Sequence, residues 1–144
     1  MGFKQQVSPY LWDAFTEIAS ITEAVSEILT DIAPEIDTLV GTGVSGALVV
    51  PYIGRVLDVH WALVRKPTEG SHSDLLVEGT IGNCWALVDD LIDTGETLKR
   101  VEEAINHDLH GWPTYCAGAI VYLDGVDYID PEIIKWEYGV ELNC

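Results

Sequence analysis

Four short, largely apolar runs separated by segments of helical period constrain this chain more than any other feature. They lie at residues 38–40, 59–64, 85–88 and 115–123. Runs that are apolar at successive positions, rather than at alternate ones, belong to strands buried on both faces. Between residues 8 and 32, Leu11, Phe15, Ile18, Ile21, Val25, Ile28 and Ile32 fall at three- and four-residue steps. That spacing predicts one or two amphipathic helices, opened by Ser8-Pro9 and stopped at Pro34. Further helices are expected over 47–57, with Pro51 near its start, and over 94–105. Residues 68–83 are polar, irregular and long enough for a lid, and residues 124–144 mix turns with aromatics. Apolar runs alternating with helices imply an α/β fold with a mainly parallel sheet flanked by helices. The length of 144 residues suits a single domain.

Charge narrows the partners. Twenty-four acidic residues against seven basic ones leave a net charge of −17. Such a field repels nucleic acid and anionic lipid, so neither is expected as a partner. An anionic small ligand needs a local device or a divalent metal to hold it. The three cysteines, Cys84, Cys116 and Cys144, are far apart and form no CxxC pair, which argues against a disulfide framework or a structural zinc. No run of about 18 uncharged apolar residues suggests a membrane span. The expected location is cytoplasmic.

In open α/β sheets, ligands bind beyond the carboxyl ends of the strands. The segment Trp85-Ala86-Leu87-Val88-Asp89-Asp90-Leu91-Ile92-Asp93-Thr94-Gly95-Glu96-Thr97-Leu98 sends a buried strand into two adjacent carboxylates, and then a Thr-Gly-Glu-Thr turn opens a helix. Free N–H groups and the positive helix end make that turn a phosphate cradle. Two carboxylates beside a phosphate seat suit a sugar phosphate. The same pattern also fits an ordinary capped helix with solvated acids. The glycine-dense stretch Gly41-Thr42-Gly43-Val44-Ser45-Gly46 follows the first run, and the basic pair Arg65-Lys66 ends the second.

Residues 85–98 closely resemble the ribosyl-5-phosphate motif of the type I phosphoribosyltransferases. Leu39-Val40-Gly41-Thr42-Gly43-Val44-Ser45-Gly46-Ala47 is similar to that family's pyrophosphate loop, and Val64-Arg65-Lys66-Pro67 to the edge of its mobile catalytic loop. The resemblance covers residues 38–123 in the correct order. It implies a helical hood or dimer segment at 1–37, a core at 38–123 and a tail at 124–144 that contributes to a base site. Asp89 and Asp90 would bind the ribose hydroxyls and are the candidate ligands for Mg2+, while Asp93, Thr94, Gly95, Glu96 and Thr97 would wrap the 5-phosphate. Gly41, Thr42, Gly43, Val44 and Ser45 would present amides to pyrophosphate, in a turn that often holds a cis peptide in this family. No basic side chain stands in that turn, so Arg65 and Lys66 are expected to contact the diphosphate, with His72 in the lid. Asp93 matches the general base of 6-oxopurine relatives. Asp124, Trp136 and Tyr138 are candidates for holding the base.

The implied activity is transfer of the 5-phosphoribosyl group from phosphoribosyl diphosphate to a nucleobase, with release of pyrophosphate, a purine being favoured. An orotate phosphoribosyltransferase and a non-catalytic phosphoribosyl diphosphate-binding regulator of the same fold are the alternatives. A magnesium-binding acidic site on an unrelated α/β scaffold is a third, and it leaves the 41–46 turn without a use. The expected partners are the diphosphate, a base and a second copy of the chain in a homodimer.

Overall fold

The computed structural model describes residues 16–66 and 75–143. Within them, a six-stranded sheet is built from β1 (Thr38–Thr42), β2 (His60–Val64), β3 (Val77–Gly79), β4 (Cys84–Asp89), β5 (Tyr115–Val121) and β6 (Asp127–Ile129). The helices are α1 (Ile18–Glu27), α2 (Gly43–Leu57), α3 (Glu96–Asp108) and α4 (Pro131–Tyr138). The strand order is β3-β2-β1-β4-β5-β6. The four inner strands pair in parallel, and β3 and β6 run antiparallel at the two edges. The expected α/β class and mainly parallel sheet are therefore what the chain forms.

Alternate side chains of the inner strands feed two cores. Leu39, Ala86, Val88 and Ile120 pack with Val49, Val50 and Ile53 of α2 and with Ile21 and Val25 of α1. On the other face, Val40, Trp85, Leu87 and Ala119 pack with Leu98, Val101 and Ile105 of α3 and with Ile134 of α4. Both faces are covered, which is why the runs carry no polar alternation. The described part of the N-terminal apolar stripe is thus buried within the chain, at Ile21, Val25 and Ile28. After α1, one π-helical turn spans Ile28–Ile32, and the helix has ended before Pro34, as the proline requires.

Four expectations need correction. The second helix begins at Gly43, not at residue 47, so Pro51 sits in its interior. The irregular stretch 68–83 contains β3, and the tail contains both β6 and α4. The third helix starts two residues later than expected and runs on to Asp108. Helix α4 has readable ends, because the Asp130 side chain accepts from Ile133 N–H at 2.9 Å, Pro131 is the first helical residue, and Gly139 closes the helix at φ +69°.

The amino ends of β1 and β4 are stapled by one acid. The Asp37 carboxylate accepts from the Thr38 hydroxyl (2.7 Å), Asn83 N–H (2.9 Å) and Cys84 N–H (3.1 Å). Burial pushes this carboxyl up, but the donors from Asn83, Thr38 and Cys84 outweigh it and hold the group below its ordinary value. The side chains of Cys84 and Cys116 are buried. No helix among the described residues is long and apolar enough to cross a membrane.

Candidate active site

The carboxyl ends of β1, β2, β4 and β5 meet along one edge of the sheet, as parallel pairing requires. A cavity of about 380 Å³ opens there, lined by Leu87 and residues 89–98. All the residues assigned to the ribose and 5-phosphate, Asp89, Asp90, Asp93, Thr94, Gly95, Glu96 and Thr97, stand in its wall. A second cavity, about 420 Å³, shares Asp90, Leu91, Ile92 and Asp93 with the first. Its far wall includes Asp124, Asp127, Ile129 and Tyr138. Both volumes lie in the range of small-ligand sites.

The turn after β4 is held by bonds from its backbone N–H groups to its own side chains. Asp90 N–H donates to Asp89 Oδ1 and Leu91 N–H to Asp90 Oδ1, both at 2.8 Å. Glu96 N–H donates to the Thr94 hydroxyl at 3.3 Å. Gly95 takes φ +85°, and a Cβ there would lie 2.8 Å from Val140 Cγ2, so the position demands glycine on two counts. The tail therefore packs beneath the phosphate turn. Tyr138 adds a bond from its hydroxyl to the Ile92 carbonyl at 3.4 Å.

Burial pushes the Asp89 carboxyl up to about 7, reinforced by the neighbouring Asp90 and opposed by Arg100. Two adjacent acids, both half-buried, repel each other when both ionise. Among the described residues, no group of three or more His, Cys, Asp or Glu side chains is placed to hold a metal ion.

The 41–46 stretch is the end of a strand and the first turn of a helix rather than a separate loop. No cis peptide occurs among the described residues. Gly43 carries φ +74° where strand becomes helix. Gly41 is required for a different reason from dihedral freedom: a Cβ there would meet Val50 Cγ2 at 2.7 Å and the Gly46 carbonyl at 3.1 Å. The N–H groups that open α2 lack intrahelical partners, as at any helix start. Val44 is 74% exposed, and Ser45 lies against the Tyr122 phenol.

Arg65 is engaged elsewhere than expected. Its Nη1 pairs with Glu78 Oε1 at 2.9 Å, and its Nη2 donates to the Leu75 carbonyl, so its fork staples the β2–β3 hairpin. Lys66 is exposed at the end of this strand. His72 lies outside the described residues. Trp136 stands 89% exposed on α4 and lines neither cavity, whereas Tyr138 and Asp124 line the second.

Two residues at this edge escaped the sequence reading. Arg100 Nη2 donates to the Thr42 hydroxyl at 3.1 Å, and that hydroxyl donates to the Val64 carbonyl at 2.7 Å. Arg100 Nη1 and the Tyr122 hydroxyl are enclosed without a hydrogen-bond partner. The signal for Arg100 was present in the chain, since Lys99-Arg100 is a second adjacent basic pair, directly after the phosphate turn. Tyr122 carried none, because an aromatic at a strand end reads as core.

No protein-family model matches this chain, and no curated protein sequence is significantly similar to it. Solved structures do match its backbone. Leishmania donovani UMP synthase superposes with a TM-score of 0.57 at 17% identity, over 77% of this chain and 24% of that one. The orotate phosphoribosyltransferase of Francisella tularensis gives 0.56 at 16% identity, over 88% and 64%. The adenine phosphoribosyltransferase of Saccharomyces cerevisiae gives 0.55 at 22% identity, over 80% and 75%. The chain thus spans less than two thirds of the first two. These likenesses concern the backbone, and they identify the fold as that of the type I phosphoribosyltransferases.

Proposed function

We propose that this chain transfers the 5-phosphoribosyl group from phosphoribosyl diphosphate to a nucleobase, releasing pyrophosphate. The observation that carries the reading is the wall shared by the two cavities: Asp90 to Asp93 face a phosphate turn on one side and a tyrosine-bearing pocket on the other. A sugar held at that wall would present its carbon 1 to a base in the second pocket.

In this reading, Asp89 and Asp90 accept from the ribose hydroxyls, and the N–H groups of the 93–97 turn hold the 5-phosphate. The opening turn of α2 faces the diphosphate. Magnesium fits the acid pair, because Mg2+ is commonly held by one or two carboxylates together with substrate oxygens, without a full protein cage. When bound, it would neutralise charge on the departing diphosphate. The chain's own contribution is orientation at both phosphate ends. Asp93 would receive the ring proton of the base, which favours a purine. Asp124 and Tyr138 would line the base, Asp124 accepting from an N–H donor. A homodimer belongs to the same reading, with Tyr52 and Val56 of α2 as exposed apolar surface.

A non-catalytic binder of the same ligand is favoured by one feature. Arg65 is tied to Glu78 and Leu75, which removes a cation from the diphosphate end.

The test is pyrophosphate release from phosphoribosyl diphosphate with magnesium, measured against adenine, hypoxanthine, guanine, xanthine, orotate and uracil. One base should stimulate release, and Asp89→Asn with Asp90→Asn should lower it at least about 100-fold while the circular dichroism spectrum is unchanged, as expected when positioning groups are lost. Full activity in the double variant would overturn the ribose assignment. Binding of the diphosphate with no release for any base would establish the binder instead.

A further inference from the structure

We propose that Arg100 is the positioning cation of the diphosphate turn, holding Thr42 at the end of β1 and supplying the positive charge that residues 41–46 lack. This rests on the reading of the site as a phosphoribosyl diphosphate seat. Arg100 leaves α3 one turn after the phosphate cradle and reaches back across the sheet edge to Thr42. Through the Thr42 hydroxyl it is joined to the Val64 carbonyl, so one side chain ties the ends of β1 and β2 to the helix that carries the other phosphate turn.

The guanidinium is poorly satisfied for a merely structural tie. Nη1 is enclosed with no acceptor, and an enclosed, unpaired donor on a cation costs free energy. A charge kept there is screened less by salt than a surface lysine, and it is bonded to Thr42, the residue that immediately precedes the first turn of α2. Among the described basic residues, Arg65 is held by Glu78 and Lys135 by Glu141. Arg55 is at the far end of α2, Lys99 is exposed on α3, and Lys66, at the end of β2, is exposed to solvent, where salt screens it. Arg100 is therefore the half-buried cation, with Nη1 enclosed, that is tied to the end of β1 where the diphosphate is expected. Because Nη2 is already engaged and Nη1 is enclosed, it acts through Thr42 and through its field, not by touching the ligand.

The experiment is calorimetric titration of wild type, Arg100→Met and Arg100→Lys with magnesium pyrophosphate and, separately, with ribose 5-phosphate. Wild type should bind both. Arg100→Met, which keeps the aliphatic stem and removes the charge, should weaken pyrophosphate about tenfold or more and ribose 5-phosphate clearly less, the smaller loss coming from the Arg100 field at Asp89. Its melting temperature should be unchanged or higher, because the enclosed unpaired donor is gone and Thr42 keeps its bond to Val64. Arg100→Lys should recover most of the pyrophosphate affinity. Unchanged pyrophosphate binding in Arg100→Met, or an equal loss of both ligands, overturns the inference while leaving the functional reading intact. Wild type that binds neither ligand overturns both. Should Arg100→Met not fold, Thr42→Val breaks the same tie with the cation in place, and the same split between ligands decides.

Discussion

Asp89 sits at the strand end where burial and a second acid make ionisation unfavourable, and its carboxyl is raised to about 7. In the unfolded chain it titrates near the ordinary carboxylate value, so the folded state binds its proton more tightly. The protonated form favours folding fully below about pH 4, and that contribution is lost as the pH rises towards 7. Asparagine is neutral throughout. Asp89→Asn should therefore match wild type near pH 4 and exceed it at pH 8 by roughly 1 kcal/mol after solvent screening. That amounts to several degrees in a thermal melt. A wild type that is the more stable at pH 8 would remove the electrostatic account of this residue. Asp89 and Asp90 were legible in the sequence because two carboxylates at the end of an apolar run have few structural uses. The pairing of Arg65 is hidden in the chain for a reason equally local: a cation at a strand end reads as free until the partner strand, with Glu78, is in place.

At the scale of elements, the approach of α2 to β1 decides where the first helix opens. Gly41 and Gly46 face each other, and a Cβ on Gly46 would come within 3.3 Å of Gly41 Cα. This contact lets the helix begin directly at the strand end and aims its free N–H groups over the sheet edge. Gly41→Ala places a methyl 2.7 Å from Val50 Cγ2. It should destabilise the protein by about 1–3 kcal/mol, the usual cost of overpacking, read as a lower urea midpoint with an unchanged slope. No change in midpoint would mean that α2 shifts freely, and the turn could not then be a preorganised seat. The glycines themselves were easy to see, but the early helix start was not, because glycine is a poor helix former and the contact that compensates is tertiary. Strands β3 and β6 were missed because three-residue edge strands carry no period of their own; each exists through pairing with β2 or β5.

For the whole molecule, the charge of −17 is the dominant long-range term. The described ion pairs Arg65–Glu78 and Lys135–Glu141 leave most acids without a cation. Self-repulsion on this scale is screened by salt, whose Debye length shrinks from about 10 Å at 0.1 M to about 3 Å at 1 M. The melting temperature should therefore rise by several degrees between 0.05 and 0.5 M sodium chloride. A flat or falling curve would show that the acids are spaced too widely for repulsion to matter. The α/β class, the buried inner strands and the acid-then-cradle segment were all present in the linear chain, because burial on both faces and helix capping are written in neighbouring residues. The order of strands, the joining of two cavities through residues 90–93, the capture of Arg65 by the β2–β3 hairpin and the reach of Arg100 to Thr42, 58 positions away, were not. These are contacts between residues far apart in the chain, and only the folded sheet edge brings them within bonding distance.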